Sequence, residues 1–154
     1  MTQTPAVDAW MAETLMAMDA RTLLLAGLDG SEPSWASEGR QITHCPAFEL
    51  VQALDSGRFD VAVADCRAPD LDWSLIAPML ARLQHVLAER VLVLTPAEIA
   101  APEKKHLRSQ GFGLAARCAD ASVYDYSVAT YNEPREWNNA EHWAHPENFG
   151  KRRW

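Results

Sequence analysis

Apolar positions along this chain recur in two rhythms, and glycine, proline or polar runs separate them. Val7, Trp10, Met11, Leu15 and Met18 stand three and four apart, the spacing that lines one face of a helix over residues 7–18. Residues 21–28, RTLLLAGL, are instead a continuous apolar run, which suits a strand buried on both faces. A turn-rich stretch, DGSEPSWASEGR at 29–40, is too polar for a core. QITHC at 41–45 reads as a short strand, and Pro46 opens a helix to about residue 53 whose apolar side is Phe48, Leu50, Val51 and Leu54. FDVAVADC at 59–66 is the clearest strand, with branched Val61 and Val63 and an acid at its carboxyl end. After the loop RAPDLDW, Ser74 caps a helix to about residue 89, with Leu75, Met79, Leu83 and Leu87 as its apolar stripe. RVLVLT at 90–95 is the next buried strand, stopped by Pro96. A helix through 105–110 leads to Gly111-Phe112-Gly113, and two short-linked strands at 114–118 and 123–130 follow.

Alternation of buried strands with amphipathic helices predicts an α/β three-layer sandwich around a mostly parallel six-stranded sheet. The short final link adds a C-terminal antiparallel strand pair. The length of 154 residues fits a single α/β domain over 1–154. Residues 131–154 break the pattern. They lack a helix or strand period yet carry Tyr131, Trp137, Trp143, Phe149 and Trp154. Rings of that size are costly to leave in water, so this aromatic C-terminal extension is expected to pack back on the domain, or to serve a protein partner or self-association.

Composition narrows the function classes. Apolar residues at 48% and charged residues at 23% are globular values. No apolar run is long enough to span a bilayer, and the first residues do not look like a secretory signal, so a cytoplasmic protein without a membrane partner is expected. The net charge is −7, with −8 in the first hundred residues and +1 in the rest, and a body this acidic repels a phosphate backbone, which argues against nucleic acid. Cys45, Cys66 and Cys118 are odd in number and widely spaced, matching neither a disulfide framework nor a metal knuckle, so they read as reduced, buried thiols. No P-loop, HExxH, GxSxG or complete GxGxxG occurs.

The stretch FDVAVAD, then a helix, RVLVLTP, HLRSQGF and two closing strands, resembles the second half of the class I S-adenosylmethionine-dependent methyltransferase fold. The resemblance covers residues 21–130 and implies a reduced, Rossmann-like version with six strands in place of seven, one central strand being absent. The segments VADCRAPDLDWSLIAPML, ATYNEPREWNN and HWAHPENFGKRRW are also similar to a small family of uncharacterised bacterial proteins, a domain of unknown function.

The resemblance selects candidate residues. LLAGLDGSE stands where the methyltransferase glycine-rich turn lets backbone approach the cofactor, with Gly27 and Gly30 matching two of its glycines and Asp29 in the turn itself. The third glycine and the preceding acid are missing. Ligands of such folds bind beyond the carboxyl ends of the strands where strand order reverses, so a small-molecule ligand is expected there. At the end of the second strand the resemblance implies an acid for the ribose hydroxyls; this chain has His44 and Cys45. Neighbours on a strand face opposite ways, so those two side chains cannot act as a nucleophile–base pair. Asp65, with Cys66, Asp70 and Asp72 nearby, stands where adenine-contacting or substrate-facing residues are implied. An aspartate there can accept from an amine or move a proton, and it can equally close a loop by accepting backbone N–H groups. Trp73 beside it forms an aromatic wall or covers the core. His142 and His145, spaced HxxH with Glu141 and Glu147 nearby, lie beside Pro146 and are not counted as a metal site.

Two functions follow. The degraded glycine turn and the missing ribose acid favour a cofactor-free, non-catalytic domain of interaction or regulation. The alternative is an S-adenosylmethionine-dependent methyltransferase with Gly27, Asp29, Gly30, His44, Asp65 and Cys66 at the cofactor and Asp65 catalytic. The sequence leaves open whether the crevice is accessible, because one bulky side chain from residues 34–37 is enough to plug it.

Overall fold

A computed structural model describes residues 4–27, 32–36, 39–45, 57–131 and 147. Six strands, β1 (Thr22–Ala26), β2 (Gln41–Cys45), β3 (Phe59–Asp65), β4 (Ala88–Pro96), β5 (Gly113–Arg117) and β6 (Ala121–Ser127), form one sheet in the order β2-β1-β3-β4-β6-β5. β2, β1, β3 and β4 pair in parallel, while β6 runs antiparallel to both β4 and β5. The architecture is the expected one, but the strands pair without a gap through the centre of the sheet.

Strand periodicity assigns each residue to a face. Leu23, Leu25, Val61, Val63, Leu92 and Leu94 join the core beneath α1 (Val7–Ala17), which buries Val7, Met11 and Leu15. Leu24, Ala26, Ala62, Ala64, Val91 and Val93 join the opposite core, covered by α2 (Trp73–Arg82) and α3 (Ala101–Ser109). Small Ala62 and Ala64 on this second face leave room for Ile76, Met79 and Leu80 of α2. Phe112 and Tyr126 close its far side, rings tilted by 53° with centroids 5.8 Å apart.

Several boundaries differ from the sequence expectations. Asp72, not Ser74, caps α2: its Oδ1 accepts the Ser74 N–H at 3.0 Å and the Ser74 hydroxyl at 2.6 Å. Leu75 is 64% exposed, and the buried stripe is Ile76, Met79, Leu80, Leu83 and Leu87. The cap shifts the helix start by two residues, which rotates the buried face. α2 also does not run on to residue 89; residues Leu83–Leu87 widen into a π turn and β4 begins at Ala88. Buried Gln84 in that turn donates through Nε2 to the Gln110 carbonyl at 2.8 Å, and Gln110 donates to the Ala77 carbonyl at 2.9 Å, joining α2 to the end of α3. α3 starts earlier than expected, with Pro102 in its first turn. β6 ends at Ser127, and residues 128–130 open a short helix, α4 (Val128–Tyr131), instead of continuing the strand. The helix expected from Pro46 to residue 53 lies outside the described residues. No described helix is long and apolar enough to cross a membrane.

Candidate functional site

From central β1 the chain passes outward to β2 and then crosses back to β3, so strand order reverses between β1 and β3. Gly27 follows β1, Cys45 ends β2 and Asp65 ends β3, so Gly27, His44, Cys45, Asp65 and Cys66 all gather at the carboxyl end of the sheet. Asp29 and Gly30 lie outside the described residues.

Gly27 has φ 78°, a left-handed conformation that L side chains rarely adopt. Its N–H donates to the Cys45 carbonyl at 2.9 Å, extending the β1–β2 ladder by one bond. His44 is exposed and Cys45 buried, as their opposite faces require. Cys66 is 2% exposed. Burial, with the neighbouring Asp65 charge adding to it, pushes its thiol up to about 12. Cys45 and Cys118 are also buried thiols outside any disulfide and raised by burial, so none of the three supplies a thiolate near neutrality.

Asp65 is held on both oxygens. Arg67 donates through Nε to Oδ1 at 3.0 Å and through Nη2 to Oδ2 at 2.8 Å, and its backbone N–H adds a bond to Oδ1 at 3.0 Å. The carboxylate side chain is only 12% exposed. This bidentate contact is the main cause that raises the guanidinium above its usual range, with smaller contributions from Asp8 and Asp120. Sequence reasoning missed Arg67, although the two-residue spacing in extended chain places both side chains on one side.

Asp8 and Asp120 have their own partners. Asp120 Oδ1 accepts the Val7 N–H at 2.9 Å, and the Ala119 N–H donates to the Pro5 carbonyl at 3.1 Å. Asp8 Oδ1 accepts the indole N–H of Trp35 at 3.2 Å. Trp35 is 3% exposed and belongs to the core beneath α1 with Leu23, Leu25, Val61 and Val63. The start of α1, the β5–β6 turn and the 32–36 turn are thereby tied together beside Arg67. Trp73 packs against the opposite core as a cover.

Among the described residues no three His, Cys, Asp or Glu side chains form a metal-holding group. His142 and His145 lie outside the described residues. Two cavities among the described residues open at the other end of the sheet. One of ≈ 710 Å³ is lined by residues including Arg21, Arg58, Asp60, Glu89 and Arg90, and a second of ≈ 440 Å³ shares Asp19 and Arg21 with it.

This sheet, with its strand order and antiparallel closing pair, is Rossmann-like, and the solved structures similar to it include methyltransferases. The methyltransferase domain of a bacterial Hen1 aligns with TM-score 0.52 at 10% identity, covering 79% of this chain and 97% of that one. The magnesium protoporphyrin IX methyltransferase of Synechocystis PCC 6803, solved with bound S-adenosylhomocysteine, aligns with TM-score 0.51 at 13% identity, covering 77% and 80%. A methyltransferase of Agrobacterium tumefaciens aligns with TM-score 0.51 at 13% identity, covering 77% and 59%. At these identities the likeness shows the fold alone. Over residues 3–154 the chain matches the family of unknown function DUF6231 and belongs to it. No curated protein matches the chain in sequence.

Proposed function

We propose that this chain is a methyltransferase-fold domain that works without S-adenosylmethionine, as a binding or regulatory module. The observation that carries the reading is the bidentate hold of Arg67 on Asp65. A carboxylate engaged on both oxygens by a guanidinium is a poor proton acceptor and a poor partner for a ligand amine. The end of β2 adds to this, because outward His44 and buried Cys45 provide no anionic acceptor for a pair of ribose hydroxyls. Buried Trp35 fills part of the sheet face nearby.

The test is calorimetric titration of the whole chain with S-adenosylmethionine and S-adenosylhomocysteine, paired with melting curves at millimolar ligand. No heat at several temperatures and an unchanged melting temperature are expected; micromolar binding of either ligand overturns the reading. A double-mutant cycle of Asp65→Asn and Arg67→Met then asks what the pair is for. Coupling on the order of 1 kcal/mol in stability is expected, reduced by the partial exposure of Arg67.

One observation favours a second reading, methyl transfer from S-adenosylmethionine to a small molecule. Gly27 is left-handed beside the crevice where strand order reverses, a conformation that lets backbone approach a ligand. Catalysis would then consist of positioning the acceptor for in-line attack on the methyl carbon. In that case Asp65→Asn lowers ligand affinity or turnover while the melting temperature stays put.

A further inference from the structure

The joint between α2 and α3 holds two amide oxygens that call for a hydrogen-bond donor. Gln84 sits in the π turn at Leu83–Leu87 and is 1% exposed. Gln110 follows the last residue of α3, just before the left-handed Gly111 (φ 88°) that turns the chain toward β5. Gln84 Nε2 donates to the Gln110 carbonyl at 2.8 Å, and Gln110 Nε2 donates to the Ala77 carbonyl at 2.9 Å. Both nitrogens are thus committed to backbone oxygens. Turning either amide over would set oxygen against oxygen, so the partners fix which way each amide points. Gln84 Oε1 and Gln110 Oε1 are closed off from solvent, and among the described residues neither accepts a hydrogen bond.

An oxygen buried without a donor keeps its full desolvation cost, and two at one joint are uncommon in a native fold. A π turn is also the kind of helical irregularity that recurs at functional sites. The surroundings narrow what can relieve the two oxygens. Leu80, Leu83, Leu87 and Leu107 are buried in the core that α2 and α3 cover, and the hydrogen bonds of the joint involve no ionised group. A metal ion or an ammonium would carry its charge there without a counter-charge, at far greater cost than a neutral donor. The oxygens are sealed from solvent, so an outside macromolecule does not reach them. A water molecule has two hydrogens to give, and it can accept in return from the second hydrogen of an amide nitrogen.

We propose that this joint is a binding site for an internal water, held by Gln84 Oε1 and Gln110 Oε1 between the π turn and the end of α3. The water completes a polar bridge across an apolar core and locks the π turn to the point where the chain leaves α3 for β5. This does not depend on whether the carboxyl end of the sheet takes a cofactor.

The test is nuclear magnetic resonance of the whole isotope-labelled chain, with magnetic relaxation dispersion of the solvent as a second readout. The side-chain N–H hydrogens of Gln84 and Gln110 should show cross-relaxation with a water that stays bound for longer than the protein takes to tumble. Gln84→Met and Gln110→Met keep the side-chain length and remove the amide. Each should abolish that signal at the remaining glutamine and lower the number of long-lived waters. Gln110→Met, the less buried position, carries the test if Gln84→Met does not fold. No cross-relaxation with water at either amide of the unmodified chain overturns the proposal, and so does an undiminished number of long-lived waters in a folded variant. A melting temperature that rises with ammonium or potassium chloride but not with sodium chloride at equal ionic strength would overturn it as well, because a cation would then take the place given to water.

Discussion

The carboxyl and amino ends of the same strands use their polar groups differently. At the carboxyl end Arg67 grips Asp65, Asp120 receives the start of α1 and Asp8 receives the indole of Trp35, so polar groups there close loops over the sheet. At the amino end Asp60 and Arg90 pin the strands from below, and the charges of Asp19, Arg21, Arg58 and Glu89 stand at the rim of a furrow. In doubly wound sheets the first end is where ligands gather. Here polar groups at that end support the loops over the sheet. The fold by itself assigns no function, as across large fold families.

The largest expected effect tests whether that support is real. Trp35→Ala removes a nearly fully buried ring, and losses of this kind cost about 3–5 kcal/mol. For a chain of this length that is on the order of 10 °C in melting temperature. Trp35→Phe keeps most of the packing and removes only the N–H bond to Asp8, for about 1 kcal/mol. Thermal denaturation of both variants orders them. If Trp35→Ala melts with the unmodified chain, the indole is not a cover and the contrast between the two ends fails.

The sequence showed the fold more clearly than the site for a physical reason. Burial on both faces leaves a local mark, and LLLA, VAVA and VLVL state it without reference to anything distant. Element ends depend on single side chains. Asp72 took the cap from Ser74, and a π turn cut short a helix whose apolar spacing continued past it. The positions of Gly27, His44, Cys45, Asp65 and Cys66 followed from topology. Their environment did not, because Trp35, Asp8 and Asp120 are brought beside Arg67 from distant points of the chain. A single sequence carries no local signal of such meetings.

A smaller effect sharpens the amino end. Bonds from the Arg21 and Thr22 N–H groups, foremost that of Arg21, hold the Asp60 carboxyl below its usual range. A depressed folded-state pKa contributes stability that is present above the unfolded value of about 3.9 and is lost as pH falls through the folded value. Asp60→Asn should therefore cost about 0.5–1 kcal/mol at pH 7, a loss held down by solvent screening of a carboxylate that is largely open to water. The gap between the two chains should narrow below about pH 4 and close further into acid. Urea denaturation at pH 7, 4 and 3 reads both numbers. A gap independent of pH means that packing and not charge holds the start of β1 against β3.

The smallest effect belongs to Leu75, at the carboxyl end where α2 begins. With Asp72 as the cap, Leu75 is the third residue of the helix and its side chain is 64% exposed. A glutamate at that position faces the positive end of the helix dipole and can reach back to the cap N–H. Leu75→Glu should thus be neutral or stabilising by up to about 0.5 kcal/mol, against the loss expected had Leu75 belonged to the buried stripe. The melting temperature of the isolated chain decides between them. A loss above about 1 kcal/mol would mean that another part of the chain covers Leu75 in solution. The carboxyl end would then be closed over α2 as well as over α1, and its difference from the open furrow would be larger than the described residues already make it.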